Sequence, residues 1–152
     1  MAVENILKIK KENKNKIFKK FNLNPKKKLA IFTYHPVTME HGVDIKKQIN
    51  NIFDALDKFD YQILVTSPNL ESKSEKIKKN IFRRIYRKKN YKYFSSLGFK
   101  NYHNILNFCD FVIGNSSSGI VEVPYYKIPT INIGKRQKDR LKHPSVIDVK
   151  CD

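Results

Sequence analysis

Phe111-Val112-Ile113-Gly114-Asn115-Ser116-Ser117-Ser118-Gly119-Ile120-Val121-Glu122 is the stretch that decides the fold. The apolar triplet predicts a short strand, Gly114 ends it, and Ser117 to Val123 predicts a helix closed by Pro124. The same alternation continues on both sides. Leu29 to Tyr34, Tyr61 to Val65 and Tyr91 to Phe94 read as strands upstream, and Pro129 to Ile133 and Val146 to Val149 downstream. Between them, 44–59 places Ile45, Ile49, Ile52, Phe53 and Leu56 on one helical face. Glu71 to Arg87 does the same with Ile77, Ile81, Phe82 and Ile85, and Asn101 to Phe108 with Tyr102, Ile105 and Leu106. Residues 5–23 predict a helix or helix pair ending near Asn24-Pro25, because proline disfavours helical geometry in the residue before it. Strands alternating with helices predict an α/β, three-layer Rossmann-like domain with a mainly parallel sheet of about five or six strands.

A chain of 152 residues with 40% hydrophobic residues suits one domain with one core. The formal net charge of +17 raises the question of polyanionic partners. The charge is concentrated in two runs, with ten lysines between Lys8 and Lys28 and ten basic residues between Lys73 and Lys92. Both read as solvated helix faces. A nucleic-acid patch lacks a recognition motif, and the nearby Phe82, Tyr86, Tyr91 and Tyr93 fall where helix and strand cores need them. The two cysteines, Cys109 and Cys151, lie far apart without a CxxC spacing, which fits a reducing compartment and argues against a zinc site or disulfide framework. No apolar run approaches the ~20 residues needed to span a bilayer. The expectation is a soluble cytoplasmic protein without cofactor or metal, binding neither nucleic acid nor membrane.

In parallel sheets ligands bind beyond the carboxyl ends of the strands. That rule selects His35-Pro36-Val37-Thr38, Ser67-Pro68-Asn69, Gly114 to Glu122, and Gly134 to Arg140, where the polar residues also collect. Backbone amides and hydroxyls at the Gly114–Gly119 turn suit a phosphate, although a serine helix cap explains them equally well. It is not a Walker loop, because no Gly-Lys-Ser/Thr follows. Glu122 stands among apolar residues, where burial without a partner is costly and a ligand diol is one remedy. Arg136 and Arg140 suit phosphate oxygens, or a plain exposed loop. His35 suits a proton carrier, whereas His41, His103 and His143 belong to no constellation. Together these residues indicate a nucleotide-diphosphate site without naming a reaction.

His35-Pro36-Val37-Thr38, Gly114 to Glu122, and Ile131-Asn132-Ile133-Gly134-Lys135-Arg136-Gln137, in this order, resemble the hydrolysing UDP-N-acetylglucosamine 2-epimerases over about residues 5–150. Non-hydrolysing relatives carry other segments at these places. The resemblance implies one half of a two-domain GT-B-type fold with the active site between the domains. UDP is eliminated to leave a 2-acetamidoglucal, and water then adds to release N-acetylmannosamine, a precursor of sialic-acid-type sugars. It implies UDP contacts from Ser116, Ser117, Glu122 and Arg136, with Asn69 as a further cleft residue, and His35 as the catalytic histidine facing the diphosphate. Residues 1–27 then read as a helical lead-in and 28–152 as the UDP-binding domain, shortened at its end. The family's acid/base residues belong to an N-terminal domain, which becomes the expected partner beside the UDP-sugar, with a homo-oligomer of the full-length enzyme also allowed. A fragment without its own activity is the expectation. A 2,4-diacetamido-trideoxy sugar substrate, a stand-alone UDP-binding module and a basic nucleic-acid-binding protein are the alternatives. Where the family reads Arg-Gln-x-Gly-Arg, this sequence has Asp139 in place of the glycine, which puts the turn and the role of Arg140 in question.

Overall fold

The computed structural model describes residues 2–36, 44–68 and 74–150. Val37, Thr38, His41, Asn69 and Cys151, and the predicted helix start at Glu71, lie outside them. Six strands form one wholly parallel sheet: β1 (Lys28–Thr33), β2 (Tyr61–Thr66), β3 (Tyr91–Phe94), β4 (Phe111–Gly114), β5 (Thr130–Ile133) and β6 (Val146–Val149). Their order is β3-β2-β1-β4-β5-β6. The first three strands step outward in one direction and the last three in the other, so the chain reverses between β1 and β4. In doubly wound sheets a crevice opens at such a reversal, beyond the strand ends.

Each face of the sheet carries its own apolar layer, because successive strand residues point to opposite sides. Ala30, Phe32, Ile63 and Val65 face α3 (Ile45–Leu56) and α4 (Ser74–Ile85). Leu29, Ile31, Leu64 and Val112 face α2 (Lys14–Lys20) and α5 (Phe99–Leu106). These are the three predicted layers. α4 forms because Ile77, Ile81 and Ile85 recur every fourth residue, and all three are buried. Glu75 in its first turn and Arg83 and Arg84 in its last complement the helix dipole. Truncating Ile81 here costs about 3 kcal/mol by the usual cavity scale.

Of the two readings of the N-terminal segment the structure takes the second, whereas several later details differ from the sequence expectation. The N-terminal segment is a pair, α1 (Ala2–Leu7) and α2, with the Asn13 side chain accepting from Lys16 N–H to start the second. The helix after β4 lasts one turn, α6 (Ser118–Val121), and Pro124 lies in a following 3₁₀ turn, Val123–Tyr126, rather than closing a helix. Proline suits the start of that turn, where no intrahelical donor is required. Phe82 and Tyr86 are not core residues. Both are exposed, Phe82 resting on Tyr93 with ring centroids 4.4 Å apart. Lys76, Lys79 and Arg83 of α4 are exposed, and Arg84 bonds Asp54 and Asp57 at the end of α3. Among the described residues no helix is long and apolar enough to cross a membrane, and no group of three or more His, Cys, Asp or Glu is placed to hold a metal ion.

Candidate functional site

The ends of β1 and β4 are locked together by glycine and asparagine. At Gly114, φ is +139°, and a Cβ there would stand 1.8 Å from the Thr33 carbonyl oxygen, so only glycine lets the two backbones approach. Asn115 N–H donates to that same carbonyl at 3.1 Å. The fully buried Asn115 side chain then acts as a surrogate peptide. Its Oδ1 accepts from His35 N–H at 2.6 Å, and its Nδ2 donates to the His35 carbonyl at 2.9 Å. From the other side Arg136 Nη1 and Gln137 Nε2 donate to the Asn115 carbonyl at 3.2 and 2.9 Å. Arg140 Nη1 braces Gln137 Oε1 at 2.9 Å. The Gly134–Arg140 segment thus buttresses the β4 turn from behind. Asp139 holds a positive φ of 62° in that segment, as Gly134 does at 73°, so the turn survives without a glycine at position 139.

Above this frame lies an open cleft of about 310 Å³. Thr33 and His35 line it from β1, Thr66 and Ser67 from β2, and Ser95 to Phe99 from the end of β3 and the start of α5. Ser116, Ser118 and Glu122 line it from the β4 turn. Of the residues expected from the sequence, His35, Ser116 and Glu122 therefore come together. Ser117 is exposed at the N-terminus of α6, and Arg136 sits behind the turn, outside the cleft wall. Asn69 follows Pro68, where the described residues pause. Ser95, Ser96 and Gly98 went unselected, although the strand-end rule applied to β3 would have found them.

Glu122 does not occupy a helix first turn. It caps the end of α6, half-buried, with burial raising its pKa and a hydrogen bond from Ser118 partly opposing that rise. Ser118 Oγ is itself bonded to Tyr102 Oη. His103 belongs to this cluster, contrary to its isolated standing in the sequence. It is 1% exposed, its Nε2 lies 3.7 Å from Glu122 Oε2, and its Nδ1 lies 2.9 Å from Tyr126 Oη. Burial lowers the His103 pKa and raises those of Tyr102 and Tyr126, the latter to about 12. All three rings are therefore neutral near pH 7, and Glu122 is the group whose charge is in play.

The sequence profile described as UDP-N-acetylglucosamine 2-epimerase matches residues 1–152, the whole chain. The chain belongs to the UDP-N-acetylglucosamine 2-epimerase family. A GDP/UDP-N,N'-diacetylbacillosamine 2-epimerase (hydrolyzing) of Campylobacter jejuni is 33% identical, over 90% of this chain and 36% of that protein. The polysialic acid biosynthesis protein P7 of Escherichia coli is 31% identical, over 98% of this chain and 38% of that protein. The chain thus spans somewhat over a third of the length of these relatives. The structure of the UDP-GlcNAc 2-epimerase from Methanocaldococcus jannaschii superposes with a TM-score of 0.67 at 18% identity, over 93% of this chain and 40% of that one. The likeness is one of fold, that of one Rossmann-like half of the GT-B architecture.

Proposed function

We propose that this epimerase-family chain forms the UDP-binding half of a hydrolysing UDP-N-acetylglucosamine 2-epimerase. The observation that carries this reading is the convergence of His35, Ser116 and Glu122 on one cleft at the reversal of the sheet. In this reading the diphosphate lies against the Ser116–Ser118 turn, where amides at a helix start and serine hydroxyls donate to anionic oxygens. The Glu122 carboxylate accepts hydrogen bonds from the vicinal hydroxyls of the ribose, and Phe99, half exposed on the cleft wall, offers a ring to the base. Ser117 and Arg136 stand outside the cleft lining, and Arg136 serves this reading by holding the turn from behind.

Elimination removes the C2 proton and breaks the C1–O bond, the electron pair leaving with UDP. Water then adds to the resulting 2-acetamidoglucal and gives N-acetylmannosamine. His35, packed against the β4 turn, faces the oxygen that takes the negative charge. Among the described cleft residues Glu122 is the only carboxylate, and this reading gives it to the ribose and not to C2. In this reading that proton transfer is assigned to a second domain, as the resemblance to the family implies. The names of the relatives leave two sugars in view, N-acetylglucosamine and a diacetamido-trideoxy sugar of the bacillosamine type. The first is favoured because the family profile matching the whole chain carries that name.

The test is calorimetric titration of the purified chain with UDP, followed by an assay for free N-acetylmannosamine with and without an N-terminal epimerase domain. Binding of UDP, with turnover only when the two domains are joined, is expected. Robust turnover by the chain alone would sink the half-enzyme reading, and absence of UDP binding would sink the site.

A further inference from the structure

Among the described residues, three buried side-chain polar atoms lack a hydrogen-bond partner: Arg84 Nε, Tyr93 Oη and His103 Nε2. A native fold rarely leaves such an atom unsatisfied without a reason. His103 Nε2 is aimed at the wall of the cleft, where Glu122 Oε2 stands 3.7 Å away. That gap exceeds the about 2.7–3.2 Å of an N–H···O bond by a small side-chain adjustment. The ring itself is held. Phe99 packs edge-on at 4.4 Å, Tyr126 stacks at 5.8 Å, and Tyr102 meets it at 5.3 Å. The carboxylate stands at the end of a one-turn helix on the cleft side, where Ser118 also donates to it.

We propose that His103 is a positioning residue for the ligand, holding one oxygen of the Glu122 carboxylate from behind so that the other is presented to a vicinal diol in the cleft. The inference rests on the reading of Glu122 as the ribose acceptor. The tautomer follows from the neighbours. When the Tyr126 hydroxyl donates to Nδ1, Nε2 keeps its proton and directs it at the carboxylate. The other tautomer would set a lone pair against the anionic oxygens, and their repulsion disfavours it. Being neutral, His103 aligns the carboxylate with a dipole and does not neutralise it. Tyr102 on α5 and Tyr126 on the 3₁₀ turn are the other titratable groups facing the pair among the described residues, with Cys109 acting on Tyr102. All three are pushed upward and stay protonated. Glu122 and His103 are the groups of this cluster that titrate on the acid side, the first raised and the second lowered by burial.

The experiment compares UDP with its dideoxyribose analogue, which lacks the diol, by calorimetry on the full chain. The wild-type chain is expected to prefer UDP by about tenfold or more, as a charged acceptor predicts. His103→Leu should cut that preference to about twofold while leaving affinity for the analogue within about twofold, since only the diol contact depends on the carboxylate's orientation. His103→Gln, whose amide nitrogen reaches the place of Nε2, should restore most of it. If His103→Leu fails to fold, Tyr126→Phe and His103→Gln carry the comparison, with partial loss expected in the first. Equal weakening of both ligands would mark His103 as merely structural, and an unchanged preference would also overturn the proposal. A second reading needs no ligand. The carboxyl ¹³C titration of Glu122 should move to higher pH when His103 is replaced by Leu, because a donor to the charged form is lost, and no movement would overturn the proposal. If the wild-type chain binds neither ligand, the UDP reading fails, and the Glu122 titration alone decides whether His103 holds the carboxylate.

Discussion

Asn115 satisfies both backbone groups of His35, 80 residues earlier in the chain, through the two atoms of its side-chain amide. A side chain thereby extends the β1–β4 ladder past Thr33–Gly114, the last pair in register. Replacing Asn115 by Ala leaves a buried N–H and C=O without partners, at a cost of about 3 kcal/mol in urea unfolding. UDP affinity should fall with it, because the serine turn and His35 lose their common anchor. Unfolding curves of wild type and variant, measured with and without UDP, check both.

Gly119 packs against Thr130, whose Oγ1 donates to the Gly119 carbonyl at 2.7 Å. A Cβ at Gly119 would lie 2.7 Å from Thr130 Cγ2. Gly119→Ala should therefore destabilise by about 1–3 kcal/mol. Adding Thr130→Ser removes the clashing methyl but keeps the hydroxyl, and should recover much of the loss. A double-mutant cycle by thermal melting reads the coupling, and strict additivity would refute it.

Burial raises the Glu122 pKa, and Ser118 only partly opposes this. The folded state therefore holds the Glu122 proton to higher pH than the unfolded chain does. Its contribution to stability is full below the unfolded carboxyl pKa and is lost as pH rises through the raised folded value. Glu122→Gln should thus be more stable than wild type at neutral pH and lack this slope. UDP binding should respond in the opposite sense, weakening in the wild type as pH falls through the raised pKa, and should be weak at every pH in the variant. Melting temperatures and UDP titrations across the acidic to neutral range decide it.

Asp139 holds φ 62° where a glycine would sit without steric cost. Asp139→Gly should keep the turn and change stability by no more than about 1 kcal/mol, while Asp139→Val should lose more than that. Denaturant midpoints of the two variants provide the comparison.

His35 is buried beside the β4 turn, and its side chain lines the cleft. In an enzyme reconstituted with an N-terminal domain, His35→Ala should lower kcat far more than it weakens UDP binding, as expected of a group acting on charge that develops in the transition state. Equal losses in the two would instead make His35 a binding residue. Steady-state kinetics set beside UDP calorimetry separates these outcomes.

Periodicity carried the local structure of this protein. Apolar triplets and sextets, helical stripes such as Ile77-Ile81-Ile85, and the Gly114 break are patterns over neighbouring residues, and they were legible as strands, helices and turns. The strand-end rule carried His35, Ser116 and Glu122 into one list, since in a parallel sheet every carboxyl end faces the same edge. Phe82 and Tyr86 misled because an aromatic ring reads as core wherever a stripe is near, while exposure depends on what packs opposite. Asn115 with His35, His103 with Glu122, and Gln137 behind Asn115 were invisible for a different reason. Each pair is joined only by the order β3-β2-β1-β4-β5-β6 and the depth at which helices settle on the sheet. A residue's type states which bonds it can make, but chain topology and close packing decide which partner stands within reach.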